Sequence, residues 1–495
     1  MPITFQDLLQ GVEVTGAAGL EQTVTGLHYD SRLIKPGNIF VCIQGYRTDG
    51  HLYIQDALSR GAVGLVVEKD MNLQPQISFA RVNSSRLALA LMAANFYDHP
   101  SRKLTMIGVT GTNGKTTTTH LIEAVLAGKA EPTGIIGTIC NKIGDQRHSV
   151  ERTTPESLDL QSILAQMNTS KVKAVSMEVS SHALFLQRVA ACEFDIGVFT
   201  NLTQDHLDFH RNIDEYLAAK MLLFEGLGKE RLKKRPCYAV VNNDDSAAKR
   251  IIKCTNVPVI TYGIYEQADL RAEDVQLNPD GSSFTVVYKE DSFPVTTSLP
   301  GEFNVYNSLA AICVGLQEGV PVTVIQAILK KMKGVPGRFE PVDEGQKFAV
   351  VVDYAHTPDG LENVLKTARR VSGGRLITVF GCGGDRDAGK RPVMGRIAGE
   401  LSDYTIITSD NPRSEAPELI EGQIEDGIQE IQDACYTIIT DRFQAIRHAL
   451  LSAKEGDFVV IAGKGHETYQ IVGDQVLPFD DHQVAREIIV KEIID

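Results

Sequence analysis

The stretch LTMIGVTGTNGKTTT, residues 104–118, decides how the rest of the chain is read. Its apolar run, 104–109, predicts a buried strand, and Lys115-Thr116 open a pattern that continues through Leu121 and Val125 as a helix. Between them Gly111, Thr112, Asn113 and Gly114 form a loop whose glycines let the backbone wrap an anion, with N–H groups of the helix start pointing at it. Lys115 is placed to reach the outer phosphates of a nucleotide and the Thr116 hydroxyl to ligate Mg²⁺, with Thr117 in the same first turn. The usual first glycine position is held by Val109, so the loop's own glycine is Gly111. A chance Gly-Lys-Thr in a surface turn is the competing reading, against which the order strand, loop, helix argues. ATP as substrate and Mg²⁺ as cofactor are the expectation.

At 495 residues the chain is long enough for about three domains of ordinary size, and its 43% hydrophobic content supports their cores. A net charge of −14 argues against a nucleic-acid duplex or an anionic membrane as main partner. Met1-Pro2-Ile3 leads straight into mixed sequence and no apolar run is long enough to span a bilayer, so a cytoplasmic protein is expected. The eight cysteines lack paired spacing; Cys42, Cys140, Cys192 and Cys313 lie in apolar surroundings and read as reduced core residues.

The predicted fold class is α/β with three domains: a small α/β unit at 1–99, a central phosphate-loop domain with a parallel sheet at 100–334, and a Rossmann-like α/β domain at 335–495. In the first, GLHYDSR (26–32) precedes a Lys35-Pro36-Gly37 turn, a strand at 39–43, the segment GYRTDGH (45–51), a helix near 54–60, a strand at 63–67 and a helix at 84–97. Asp30-Ser31-Arg32 also reads as plain turn chemistry, with Asp and Ser bonding local backbone. In the second, strands at 173–179 and 194–199 run into EVSSH (178–182) and TNLTQDHLDFH (200–210), and a helix near 213–223 contains Lys220. A β-rich stretch at 283–287 and 295–299 precedes GEFNVYNSLAA (301–311). In the third, predicted strands lead into DYAHTP (353–358), GCGGDRDAGKR (381–391), SDNPRSE (409–415) and GKGHE (463–467). Polar segments that follow strands lie at the edge of an open α/β sheet where ligands sit.

Glu178, at a strand end beside the phosphate loop, suits a Mg²⁺ carboxylate, because the hard cation takes oxygen ligands and keeps waters and phosphate oxygens. The bland alternative is a solvated strand-end glutamate. His206 and His210, four apart with Asp205 and Asp208 between them, have a zinc-like spacing, but no third ligand is near and the segment is a strand-to-loop junction. A Mg²⁺-associated role for His206 fits better. Residues 381–384 resemble a nucleotide loop without a following Lys-Thr, so Asp385-Arg386-Asp387 read instead as contacts to a charged small substrate.

Taken together, these segments resemble the Mur ligases, ATP-dependent enzymes that add amino acids to the peptidoglycan precursor. The resemblance covers nearly the whole chain: TGTNGKTT (110–117), EVSSH, TNLTQDHLDFH, EYLAAK ending at Lys220, GEFNVYN, GRFE around Arg338, and VDYAHTP around Asp353. Folylpolyglutamate synthases share the central scaffold, but the N-terminal DSR…PG…F…G…DGH pattern is similar to that of the member accepting UDP-N-acetylmuramoyl-L-alanyl-D-glutamate. DNPR (410–413) resembles the version that adds meso-diaminopimelate, the L-lysine-adding version being the alternative. The resemblance implies that Ser31 touches the uracil end, and that Thr153, Thr154, Ser180 and Arg188 hold the muramoyl-dipeptide. It implies Lys115 and Thr116 on ATP phosphates and Mg²⁺, with Glu178 and His206 around the metal and Lys220 carbamylated as a further metal ligand. Asn304 and Arg338 would contact nucleotide, with Asn307 and Asp353 shaping that pocket. Arg386, Asp410, Asn411, Arg413, Gly463 and Glu467 would form the amino-acid pocket of a monomer. Where many relatives place a substrate-contacting Gln two residues before the Arg, this chain has Leu186, with Gln187 next.

The implied chemistry is amide formation through an acyl phosphate, with ATP on the middle domain, the nucleotide sugar on the first and the amino acid on the third. A phosphate-loop kinase and a non-enzymatic UDP-sugar-binding protein are the competing classes. A kinase gives a stable phosphorylated product, whereas a ligase releases phosphate only when carboxylate and amine are both present. A binding protein has no need of Lys115, Glu178 and the DNPR segment together.

Overall fold

The computed structural model describes residues 3–45, 48–71, 73–150, 152–207, 209–229, 231–278, 281–332 and 334–494; Asp208, and Tyr46 and Arg47 of the GYRTDGH segment, lie outside the described residues. Three sheets carry separate cores. The first orders its strands Val14–Ala18, Ser78–Val82, Gly64–Val67, Asn38–Val41 and Gly26–His28, parallel except for the outer Val14–Ala18. Alternation along Asn38–Val41 sends Ile39 and Val41 to one core with the helix Ser85–Phe96, and Phe40 to another with Ile54 and Ala57.

The central sheet places Thr105–Thr110 between Ala174–Glu178 and Ile196–Phe199, all parallel, and the parallel run continues through Tyr238–Asn242 and Val259–Gly263. Both ends are extended by antiparallel strands, Asn141–Ile143 with Gln146–His148 on one side and Gly281–Tyr288 with Asp291–Thr297 on the other. These wings are joined by short turns that need no crossover helix, and Gly281–Tyr288 alternates buried and part-buried residues along most of its length. Helices cover both faces: Lys115–Ala127 and Glu302–Gln317 pack over Ile107, Val109 and Val198, while Ser157–Thr169 and Ile213–Gly226 pack over Met106, Val175 and Phe199.

The third sheet orders Ala349–Asp353, Phe458–Ala462, Leu376–Phe380, Tyr404–Ile407 and Tyr436–Ile438, all parallel, with the short Glu340–Pro341 antiparallel at one edge. On one face the helices Lys390–Leu401 and Pro417–Ile428 cross at glycines. A Cβ on Gly395 would overlap the Ile424 carbonyl, and one on Gly427 would overlap that of Pro392. Glycine inside a helix costs about 1 kcal/mol against alanine in propensity; here it allows the two backbones to touch.

The three parts touch one another. Leu158 of the central part packs into the first core, Tyr29 donates to Asp159 at 2.8 Å, and Ser84 donates to Gln187 at 2.8 Å. The third part reaches the phosphate loop through Arg338, whose Nη2 donates to Thr116 Oγ1 at 3.0 Å, and Asp359, which accepts from Asn113 at 2.5 Å and Thr203 at 3.3 Å.

The helix crossing is testable. Gly395→Ala should destabilise the protein by about 1–3 kcal/mol, the range for overpacking, although propensity alone favours alanine. Urea unfolding followed by circular dichroism measures this, and an unchanged or raised midpoint would contradict the close approach.

Candidate active site

The ends of the central parallel strands converge on one cleft of about 1050 Å³, lined also by segments of the third part. Register places Glu178 beside Val109 and Phe199 beside Thr110, so the phosphate loop, EVSSH and the 200–210 segment leave the sheet side by side. The loop conformation depends on glycine at two positions. Gly111 (φ 152) has Thr200 Oγ1 where a Cβ would stand, and Gly114 (φ 80) has Asn307 Oδ1 there.

Lys115 Nζ donates to the carbonyls of Gly111 (3.0 Å) and Thr112 (2.7 Å), and burial lowers its pKa. Thr116 Oγ1 donates to Glu178 Oε2 at 2.9 Å; Glu178 is fully buried and also accepts from Thr138, N–H at 2.7 Å and Oγ1 at 3.0 Å. Lys220 is 1% exposed, its ammonium 2.7 Å from the Gly111 carbonyl and 4.0 Å from the Tyr216 ring centre. Burial, and then the neighbouring Lys115 charge, lower its pKa well below that of an ordinary lysine. His206 lies in the left-handed region (φ 55) with Nε2 3.3 Å from Asp205, and burial pushes its pKa to about 3, so the ring is neutral.

Hydroxyl and carboxylate oxygens side by side at the helix start, with a neutral imidazole on the same wall, fit a Mg²⁺ ion that shares its sphere with phosphate oxygens. Among the described residues no group of three or more His, Cys, Asp or Glu side chains could hold a metal alone, which does not suit zinc at His206 and His210.

Beside the loop, Thr154 Oγ1 donates to the Glu178 carbonyl (2.9 Å) and accepts from the Ser180 N–H (3.1 Å), and Arg188 Nη1 donates to the Thr154 carbonyl (3.2 Å). Thr153 shares a hydroxyl contact of 3.0 Å with Thr138. Leu186 follows the short helix Ser181–Phe185, and Gln187 is turned away to Ser84. Asn307 lines the cleft, and its Nδ2 donates to Asn304 Oδ1 at 3.1 Å; Asn304 is buried behind it and is not part of the lining. Asp353 is buried, accepts from the N–H groups of Phe339 (2.6 Å) and Ala355 (2.7 Å), and burial raises its pKa to about 6. Ser31 is buried in the first part, outside this cleft, and Asp30 caps its turn by accepting from the Arg32 N–H at 3.0 Å.

The far wall comes from the third part. Asn411 Nδ2 donates to Glu467 Oε2 at 2.8 Å, and Arg413 (φ 52) is held between Ile471 and Gly473 by backbone bonds while its Nη1 donates to the Gly384 carbonyl at 2.7 Å. Asp410, Arg386 and Gly463 line the same wall. Lys464 stands between Asn411 and Glu467, and buried Arg391 ties Glu415 to the Gly383 carbonyl. Sequence reasoning did not single out Thr138, Asp359, Arg391 or Lys464. Lys464 sits inside a quoted segment, whereas Thr138 and Asp359 carry no local signal.

Profile comparison matches residues 23–100 to the Mur ligase family, catalytic domain, 109–315 to the Mur ligase middle domain, and 337–465 to the Mur ligase, glutamate ligase domain. The chain is 49% identical over 470 residues, 95% of each chain, to a protein of Syntrophomonas wolfei named UDP-N-acetylmuramoyl-L-alanyl-D-glutamate--2,6-diaminopimelate ligase. A solved structure of a ligase with the same name is similar with a TM-score of 0.69 at 33% identity over 99% of both chains. A MurF ligase from Thermotoga maritima in complex with ADP shares the fold, with a TM-score of 0.61 at 20% identity over 94% of this chain and 96% of that one.

Burial also pushes His356 down to about 4 from 6.5, with its Nδ1 2.8 Å from the Tyr354 carbonyl. Between those values the unfolded chain binds the extra proton, so this contribution to stability is complete above 6.5 and is lost as pH falls towards 4. His356→Gln should therefore be destabilised relative to wild type more at about pH 7 than at about pH 5, as urea unfolding at the two values measures. An equal difference at both would contradict a neutral buried imidazole.

Proposed function

The chain belongs to the Mur ligase family, and we propose that it joins meso-2,6-diaminopimelate to the D-glutamate γ-carboxylate of UDP-N-acetylmuramoyl-L-alanyl-D-glutamate, converting ATP to ADP and phosphate. The observation that carries this reading is one cleft with Lys115, Thr116 and Glu178 on one wall and Asn411, Arg413 and Glu467 on the other. The relatives' names support it. Domain limits at 1–99, 100–334 and 335–495 are part of the same proposal.

A carboxylate is a poor acylating agent. One of its oxygens attacks the γ-phosphorus of ATP, ADP leaves, and an acyl phosphate forms. The amine of the amino acid then attacks the acyl carbon, phosphate leaves with the C–O bond electrons, and the nitrogen loses a proton. Both steps depend on placement and charge compensation. Lys115 and Arg338 supply cations to the phosphates; Asn304, Asn307 and Asp353 hold the nucleotide pocket's shape. Thr116, Glu178, His206 and carbamylated Lys220 would hold Mg²⁺, which neutralises phosphate charge when bound. Thr153, Thr154, Ser180 and Arg188 are proposed to hold the muramoyl-dipeptide and Ser31 the uridine end. Arg386 and Asp410 complete the amino-acid wall with Gly463.

Lys220 is proposed to be carbamylated because its buried amine, lowered well below the usual lysine pKa, is available uncharged to attack carbon dioxide. The N–C bond forms, the nitrogen releases a proton, and the neutral amine beside Gly111 becomes an anionic carbamate next to the Lys115 ammonium. ¹³C-bicarbonate should give a carbamate resonance that Lys220→Ala lacks. No resonance at saturating bicarbonate and mildly alkaline pH would remove this role.

Arg413 is proposed to select the amino acid. Its planar fork can grip the distal carboxylate of diaminopimelate, which lysine lacks. Phosphate release should require UDP-precursor and amino acid together, favour diaminopimelate over L-lysine by about 10⁴-fold, and lose most of that preference in Arg413→Ala. Equal use of lysine by wild type, or an undiminished preference in the variant, would overturn it.

A further inference from the structure

We propose that Lys464 is a positioning residue for amino-acid selection: it orients Asn411 and Glu467 so that one Glu467 oxygen receives the distal ammonium of the amino-acid substrate. This deepens the reading of the cleft given above and rests on it.

Lys464 is fully buried, in the loop after Phe458–Ala462. Glycines flank it in the left-handed region, Gly463 at φ 115 and Gly465 at φ 53. A Cβ on Gly463 would stand 2.6 Å from Asp410 Oδ2, and one on Gly465 would stand 2.7 Å from Tyr354 Cβ. The turn they permit drives the lysine inward. Its Nζ donates to Asn411 Oδ1 and Glu467 Oε2, each at 3.2 Å, and lies 5.6 Å from the Tyr469 ring centre.

Asn411 Oδ1 also accepts the Ile471 N–H at 2.8 Å. Two donors on one oxygen decide which way the amide faces, so Nδ2 must point at Glu467 Oε2, 2.8 Å away. Oε2 thus takes both donors, from Asn411 and Lys464. Oε1 is the oxygen left for a ligand cation. Glu467 lines the cleft beside Arg413, so a ligand bearing an ammonium and a carboxylate on one carbon meets both. Without Lys464, the Ile471 N–H alone holds the Asn411 amide, and Glu467 Oε2 loses its cationic donor and is free to turn. The loss then falls on recognition of that ammonium, not on the phosphate loop.

The probe pair is meso-diaminopimelate and 2-aminopimelate, which keeps both carboxylates and the attacking amine but lacks the distal ammonium. In Lys464→Met the ratio of kcat/KM for the first over the second should fall by about tenfold or more, through a raised KM for diaminopimelate, with KM for ATP unchanged. Glu467→Gln should lower the same ratio, and the double variant should lose no more than the larger single loss, because the two act as one unit. If Lys464→Met does not fold, as judged by melting, Lys464→Gln takes its place in the same comparison. An unchanged ratio, additive losses, or an equal rise in KM for ATP overturns the role of Lys464. Failure of wild type to use diaminopimelate at all would instead overturn the reading of the cleft.

Discussion

The Gly111 carbonyl oxygen accepts from two lysine side chains, part-buried Lys115 at 3.0 Å and buried Lys220 at 2.7 Å, and the rest of the site is arranged around that point. Two amines held together away from water resist both carrying charge unless an anion shares the space. Nucleotide phosphate relieves it on one side, and conversion of the Lys220 amine to a carbamate would relieve it on the other. The backbone there must be glycine, since Thr200 Oγ1 occupies the place of a side chain. Loop, lysines and the neighbouring strand end therefore constrain one another.

The second constraint is that the two walls of the cleft belong to different sheets. Arg338 stacks over Tyr354, with its guanidinium carbon 4.7 Å from the ring centre, and reaches Thr116; Asp359 reaches Asn113 and Thr203. These contacts couple the amino-acid wall to the phosphate loop directly. A reaction in which an acyl phosphate must meet an amine before water does needs such alignment.

Inside the third part a buried ion pair sets the wall itself. Arg442 and Asp481 are both inaccessible to solvent, and Arg442 also donates to the carbonyls of Ser409 (3.4 Å) and Ala462 (3.0 Å). Those residues immediately precede Asp410 and Gly463. A pair of this kind adds little net stability, because desolvation offsets its attraction, but it ties two strand ends to the starts of two helices, Arg442–Ser452 and Asp481–Ile488.

Much of this was legible in the sequence. Periodicity located elements that carry the site, among them Thr105–Thr110, Lys115–Ala127 and Ile213–Gly226, and the glycines, Lys115 and Thr116 announced the phosphate loop, because such features depend on residues a few positions apart. Strand-end polar segments located the cleft for the same reason: in a parallel sheet all those ends lie on one edge. Tertiary structure alone decided the rest. It brought Lys220 to a carbonyl 109 positions away, turned Gln187 towards Ser84, placed Ser31 outside the central cleft, set Asn304 behind Asn307, and aimed Lys464 inward. Each of these depends on sheet register and on which helix faces pack together, and neither quantity is contained in any local window of the chain.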